Sequence, residues 1–341
     1  MNPIDLAERG LAPDFLIRAG IRRLLRRRLA DEADRDPERR AQRTQALMDE
    51  LARSAIAIET DAANEQHYEV PAEFYRLALG AHLKYSSALW REDTDSLDQA
   101  EADMLAASCE QAELANGQRI LELGCGWGSL SLWMAANYPD SQITSVSNSA
   151  SQRAWIESRA LDLGLHNLSV LTCDVNQLEL DERFDRVVSV EMFEHVRNYR
   201  ELMRRIAGWL KPGGKLFVHI FCHRYLAYPF ETEGAGNWMG RYFFTGGLMP
   251  AADTLLHFQD DMALENRKLY AGTHYARTAR AWLDNIDRRA GQARQVMAEL
   301  HGDEGDRWLQ RWRMFFMACE ELFAFDGGNA WLVAHYRFRR R

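Results

Sequence analysis

From residue 118 onward, short apolar runs alternate with amphipathic stretches, and that rhythm predicts strands and helices in turn. RILEL, QITSVS, LSVLTC, FDRVVSV and KLFVHIF, starting at 119, 142, 168, 184 and 215, read as five strands. SLSLWMAANY, SQRAWIESRALDLG and NYRELMRRIAGWL have helical spacing between them, and a KPGG turn launches the fifth strand. The alternation predicts an α/β fold with a doubly wound, mostly parallel sheet covered on both faces. MALENRKLY and WLVAHYRF supply two last strands, and residues 223 to about 257, rich in aromatics and glycine, interrupt the pattern as a lid insertion would. Upstream, residues 41 to about 115 read as helices, interrupted by HYEVPAEFYRLALGAHLKYSSALW. The expected division is a helical amino-terminal region and cover over 1–115 and the sheet core with its lid over 116–341.

The most strongly patterned helix comes first. In FLIRAGIRRLLRRRLA, residues Ile17, Ile21, Leu24 and Leu25 share one face, ringed by Arg18, Arg22, Arg23, Arg26, Arg27 and Arg28. Such a helix suits an anionic membrane surface. It equally suits docking on the protein with solvated arginines, partly neutralised by the acidic run Asp31 to Glu38. Docking is the expected state, while the basic RFRRR at 337–341 keeps peripheral membrane contact open, as is a homodimer. Composition adds bounds: 341 residues, 47% hydrophobic and 27% charged, allow a large core. The net charge of −8 argues against a nucleic-acid partner. Five scattered cysteines (Cys109, Cys125, Cys173, Cys222, Cys319), with no signal-peptide core and no membrane-length apolar run, predict a cytoplasmic protein with reduced thiols.

Chemistry concentrates at the strand ends. ILELGCGWG, residues 120–128, is strand, glycine turn and helix start. Gly124, Gly126 and Gly128 let the backbone turn sharply and lie against a ligand without Cβ interference. The spacing is G-x-G-x-G, unlike the dinucleotide G-x-G-x-x-G. The second strand ends in Ser147, Asn148 and Ser149, where a nicotinamide site wants a carboxylate. The loop therefore reads as the floor of an S-adenosylmethionine site. Ligands in open α/β sheets bind beyond the carboxyl ends of the strands. Glu122 and the glycines end strand one there, Asn148 and Gln152 follow strand two, and Asp174 ends strand three within reach of an adenine amino group. Glu191, Glu194 and His195 follow strand four; in a helical turn starting at Glu191 they share one face. Two carboxylates beside an imidazole can accept a proton and stabilise positive charge. His219 lies near the end of strand five. Strand alternation sends Cys222 to the opposite face from His219, which argues against a metal at His219, Cys222 and His223. Cys125 reads as a small packing residue.

The segments HYEVPAEFY, YSSALW, LELGCGWGSL, SVEMFEHVRNY, LKPGGKLFVHIF and HYARTARAW resemble the cyclopropane-fatty-acid-synthase-like family of S-adenosylmethionine-dependent methyltransferases, from about residue 67 onward. FVHIFCH, RYFFTGGLMP, FQDD and THYARTARAWL are most similar to its coclaurine N-methyltransferase branch. The resemblance implies a class I methyltransferase Rossmann-like sheet with a helical amino-terminal extension. It implies cofactor contacts from Tyr85, Ser86, Gly124, Gly126, Asn148, Gln152, Asp174 and Val175, and a methyl acceptor facing Glu191, Glu194 and His195. Two departures matter. Ser87 stands where the cyclopropane synthases carry a Cys that helps hold a bicarbonate, and Glu191 where they usually carry Gly. Other positions of that bicarbonate site are matched by Glu194, His219 and Tyr275.

An added carboxylate suits a cationic acceptor better than an alkene. The sequence therefore reads as an enzyme that N-methylates a small amine. His195 paired with Glu194 takes the amine proton, Glu191 attracts the ammonium, and aromatics from Trp238 to Phe244 form an apolar wall with cation–π contacts. Acceptor contacts are expected from Ser87, His219, Trp238, Phe243 and Tyr275. The alternative is methyl or methylene transfer to an unsaturated fatty acyl chain of a lipid. A noncatalytic binding protein is disfavoured by the glycines and the Glu/His cluster together.

Overall fold

RILEL, FDRVVSV and KLFVHIF bury residues on both faces, as strands sandwiched between helices require. A computed structural model describes residues 3–34, 36–58 and 70–341; the start of HYEVPAEFY, His67 to Glu69, lies outside them. The helices in chain order are α1 (Pro3–Glu8), α2 (Asp14–Glu32), α3 (Pro37–Leu51), α4 (Ala72–Ala78), α5 (Leu97–Gln111), α6 (Ser129–Asn137) and α7 (Ala150–Asp162). They continue with α8 (Tyr199–Trp209), α9 (Trp238–Tyr242), α10 (Gly272–Arg288), α11 (Ala290–His301) and α12 (Gly305–Ala324). The strands are β1 (Arg119–Leu123), β2 (Gln142–Ser147), β3 (Leu168–Thr172), β4 (Phe184–Val190), β5 (Leu210–His223), β6 (Tyr228–Pro229), β7 (Leu248–Met249), β8 (Met262–Tyr270) and β9 (Trp331–Arg340). Seven of them form one sheet in the order β3-β2-β1-β4-β5-β9-β8, while β6 and β7 pair separately. The first five are parallel, and β9 lies antiparallel between β5 and β8. This is the doubly wound, mostly parallel sheet that the alternation predicts.

Strand alternation splits the core. Leu121, Leu123 and Val187 pack under Leu202, Met203 and Ile206 of α8. Ile120, Ile143, Val188 and Phe217 face Leu105 of α5 and Leu130 and Met134 of α6. One detail departs from expectation. The KPGG segment does not precede β5 but lies inside it: Leu210 is already opposite Phe184, and Lys215 opposite Arg186, with a bulge between.

The basic helix α2 is docked, as its acidic neighbourhood suggests. Ile17 is buried in one cluster with Phe315, Phe316 and Leu322 of α12, and Ile21 and Leu25 pack against it. Much of the neutralisation comes from farther away than the acidic run. Arg18 bonds Glu320 and Glu321 at 2.7 and 3.0 Å, and Arg22 bonds Glu321 at 2.9 Å. Asp31 and Glu32 pair with Arg27 and Arg28 one turn back. At α1, the buried Glu8 accepts from Trp238 Nε1 at 2.8 Å and from Arg311 at 3.1 Å, and also pairs with Arg307. The amino-terminal region is thus fastened to both the insertion and α12. Among the described residues, no helix is long and apolar enough to cross a membrane.

Candidate active site

Strand order reverses about β1 and β4, which opens a crevice beyond their carboxyl ends. Two adjoining cavities occupy it and share Gly124, Gly126, Gln152 and Met192. Asn148, Asp174, Val175 and His195 border one, together with Ile58. Tyr85, Ser86, Glu122 and Glu191 border the other, together with Lys84. All eight residues expected to touch the cofactor, and Glu122 at the end of strand one, therefore lie around this pair of cavities. Gln152 Nε2 and Ser129 Oγ are buried polar atoms here with no partner among the described residues, so they can serve a polar ligand. A Cβ on Gly126 (φ 51°) would meet no protein atom within 4 Å, which marks backbone exposed to the cavity. A Cβ on Gly124 (φ 78°) would come within 2.7 Å of Met192.

Local sequence explains these placements. Ser149 caps α7 by accepting the Gln152 N–H at 3.3 Å, and Ser147 Oγ donates to Gln152 Oε1 at 2.7 Å. The Gln152 amide oxygen is thereby held, and its buried NH2 is left for the cavities it borders. Asp174 lies in the loop just past β3, where its Oδ1 accepts the Asn176 N–H at 2.7 Å. Glu122 is held by the hydroxyls of Ser131 and Ser145, the latter at 2.7 Å, and burial pushes its carboxyl up to about 6.

The acceptor side is built around Glu191, and here the sequence reading needs correction. Glu191 does not start a helical turn: its φ is 47°, and the short 3₁₀ turn covers only Phe193–His195. The left-handed residue turns its side chain out of register with Glu194 and His195, so the three do not share a helical face. Its carboxylate instead accepts from the Ser87 N–H at 3.2 Å and the Tyr275 hydroxyl at 2.6 Å, and faces His219 Nε2 at 3.2 Å. Burial pushes the Glu191 carboxyl up to about 7, against the pull of Lys84, Tyr275 and Ser87. Lys84, itself buried, donates to Ser86 Oγ and to the Ser87 carbonyl at 2.8 Å. Burial lowers its ammonium to about 8, opposed by the charges of Glu191 and Glu101. Leu83 and Glu191 are two of four non-glycine residues with positive φ among those described, and both border this cavity, where stored strain belongs.

Glu194 is 2% exposed, and its Oε2 has no hydrogen-bond partner among the described residues. Burial, then the charge of Glu191, raises its carboxyl well above the usual range. His195 stacks on Phe244 with centroids 6.1 Å apart, and Phe244 stacks on Phe230 at 5.0 Å. The insertion thus does bring an aromatic wall to the histidine, but through Phe244. Phe243 is fully buried and stacks on Phe315 at 4.2 Å, inside the core. Trp238 packs on Phe243 and bonds Glu8, which directs its indole N–H toward α1 and not toward Glu191. The sequence reading also passed over Lys84, Met192 and His335. Lys84 carried a signal, standing one residue before the YSSALW motif; His335 carried a fainter one, a histidine centred in an apolar strand.

The mycolic acid cyclopropane synthetase family model matches residues 57–331. The (S)-coclaurine N-methyltransferase of Papaver somniferum is 35% identical over 338 residues, 98% of this chain and 96% of that protein. The enzyme of the same name from Thalictrum flavum subsp. glaucum is 34% identical over 339 residues, covering 98% and 94%. A crystal structure of coclaurine N-methyltransferase bound to N-methylheliamine and SAH superposes with a TM-score of 0.95 at 34% identity, covering 98% of both chains.

Proposed function

The chain belongs to the mycolic acid cyclopropane synthetase family and is an S-adenosylmethionine-dependent methyltransferase acting on a small-molecule acceptor; we propose that the acceptor is a small amine that is methylated on nitrogen. The single observation that carries this reading is Glu191. A carboxylate of the chain itself fills a cradle made by the Ser87 N–H, the Tyr275 hydroxyl and His219. An anion fixed beside the methyl-transfer cavity attracts an ammonium and stabilises the charge that nitrogen acquires. An uncharged alkene offers it no charge to attract in the ground state. The similarity to enzymes named for N-methylation of an alkaloid supports the same acceptor class.

S-adenosylmethionine supplies an activated methyl on its sulfonium sulfur. In this reading Asn148, Gln152, Asp174 and Val175 hold the adenosyl end, and the glycine turn with Tyr85, Ser86 and Glu122 holds the methionyl end. Alignment of acceptor and methyl for in-line displacement is the main task of the protein. The ammonium docks against Glu191 and gives its proton to His195, beside the buried Glu194. Phe244 and Phe230 support an apolar, cation-tolerant wall behind His195. The remaining expected contacts divide: Ser87, His219 and Tyr275 act through Glu191, while Trp238 and Phe243 buttress the lid. The unpaired thiols suit a cytoplasmic enzyme.

The test incubates the protein with labelled cofactor, a panel of secondary and tertiary amines, and unsaturated phospholipid vesicles. Label in the amines, lost on Glu191→Gln, supports the reading; label only in lipid sinks it in favour of acyl modification. Glu191→Gly adds a sharper arm, because glycine accepts the left-handed backbone and leaves the three donors facing an empty cradle. Formate or bicarbonate is expected to restore part of the amine activity of that variant and none of that of Glu191→Gln. Sedimentation with anionic vesicles decides whether the outward face of α2, with Phe15 and Leu16 exposed beside Arg23, Arg26 and Arg27, adds membrane contact.

A further inference from the structure

In the sheet, β5 sets His219 directly opposite His335 of β9, and β8 sets Lys268 opposite His335. Directly opposed residues point to the same face, so the two imidazoles are side by side. His335 Nε2 is 2.8 Å from His219 Nδ1, and His219 Nε2 is 3.2 Å from Glu191 Oε1. The rings are 1% and 0% exposed, and burial pushes both far below the usual histidine range. Each ring is therefore neutral and carries one proton.

Where those protons sit follows from the unpaired atom. His335 Nδ1 is buried with no partner among the described residues. A buried N–H without an acceptor is rarer and costlier than a buried lone pair without a donor. The proton of His335 thus belongs on Nε2, pointing at His219 Nδ1. His219 must then accept through Nδ1 and carry its own proton on Nε2, aimed at Glu191. The opposite polarity would strand a proton on His335 Nδ1 and set a bare nitrogen against the Glu191 carboxylate.

We propose that His335 is a positioning residue: by donating to Nδ1 of His219 it fixes the His219 tautomer that donates to Glu191, and so keeps Glu191 a carboxylate ready for an ammonium acceptor. The proposal rests on the amine reading for its purpose but not for its geometry. The groups facing Glu191 are Lys84, Glu194, His219, Tyr275 and Cys319; those acting on His335 are His219, Lys84, Lys268 and Tyr270. Burial raises the Tyr275 phenol and the Cys319 thiol, so both stay neutral near pH 7 and do not compete for the role. Lys84 favours the carboxylate electrostatically, and the charge of Glu191 in turn raises the Glu194 carboxyl.

Two measurements test it. In the full-length protein with ¹⁵N-labelled histidine, long-range ¹H–¹⁵N correlation reads each ring's tautomer, with His219→Gln and His335→Gln supplying the assignments. Nε2–H forms for both rings are expected, and an Nδ1–H form for either overturns the proposal. This readout needs no acceptor, so it stands even if the methylated product proves to be a lipid. The second measurement is the pH profile of kcat/KM for the methylated amine. His335→Phe keeps a ring but no donor, so Glu191 should take its proton at higher pH and the acid limb should move up by about one unit, roughly tenfold in rate on that limb. His335→Gln, whose amide N–H can stand where Nε2 stands, should return the limb to the wild-type position, with cofactor affinity unchanged in both. A His335→Phe limb that overlays the wild type, or a Gln variant displaced like Phe, refutes it. If the Phe variant fails to fold, the tautomers and the Gln profile still decide.

Discussion

The two halves of the crevice are made in different ways. The cofactor floor comes from consecutive residues: one strand, one glycine turn and one helix start within 120–128, with Asn148 and Gln152 held by a helix cap a few residues long. The acceptor cradle comes from five separate elements, joining Ser87, Glu191, His219, Tyr275 and His335 through single hydrogen bonds. Backbone shape defines the first and side-chain protons define the second. A ligand shared by many enzymes can be met by a local motif, whereas the acceptor is recognised by a charge whose state depends on neighbours distant in sequence.

If that contrast is right, damage to the floor should remove binding altogether. Gly126→Val sets a branched side chain into the cavity at φ 51°, where an L-residue also costs about 1–2 kcal/mol. Calorimetry should find no cofactor binding in a variant whose circular dichroism is native; retained affinity would break the comparison. Damage to the groups that handle the acceptor proton should spare binding and remove chemistry. Glu194→Ala combined with His195→Ala should lower turnover by ~10²- to 10⁴-fold with the cofactor Kd unchanged. Near-normal turnover would shift the proton transfer to another group. The acid side should show the same division: turnover falls as pH drops through about 7, where the buried Glu191 takes a proton and loses its charge, while cofactor binding follows no such limb. The smallest effect belongs to the buttress. Trp238→Phe keeps an aromatic ring but loses half of the indole and its bond to the Glu8 carboxylate, worth about 1.5–3 kcal/mol of stability, while acceptor KM should rise less than tenfold.

Legibility in the sequence follows the same divide. The strands from β1 to β4, β8 and β9, and helices α2, α7 and α8, could be read from period and caps because each signal is local. The glycine turn with Asn148, Gln152 and Asp174 could be grouped by one topological rule about strand ends. The geometry of Glu191 could not, since nothing in EMFEHV announces a left-handed residue, and the helical spacing suggested a shared face that the backbone turn removes. Phe243 and Phe244 are adjacent and chemically identical, so only the packing tells which one meets His195. A histidine centred in an apolar strand is a faint local sign of His335, but its partner His219 follows from cross-strand register, which no single segment encodes.

The strand that carries His335 also has a bearing on biosynthesis. β9 is inserted between β5 and β8, both of which emerge from the ribosome before it. Until β9 arrives, β5 presents an open edge and β8 has no partner in the sheet, a condition that invites pairing with other nascent chains. The exposed Asn266, Arg267 and Lys268 on β8 supply the charge and polarity that discourage such pairing. Sheet completion and installation of the last site histidine are one event, so a partly made chain can have the cofactor floor but not the finished acceptor site.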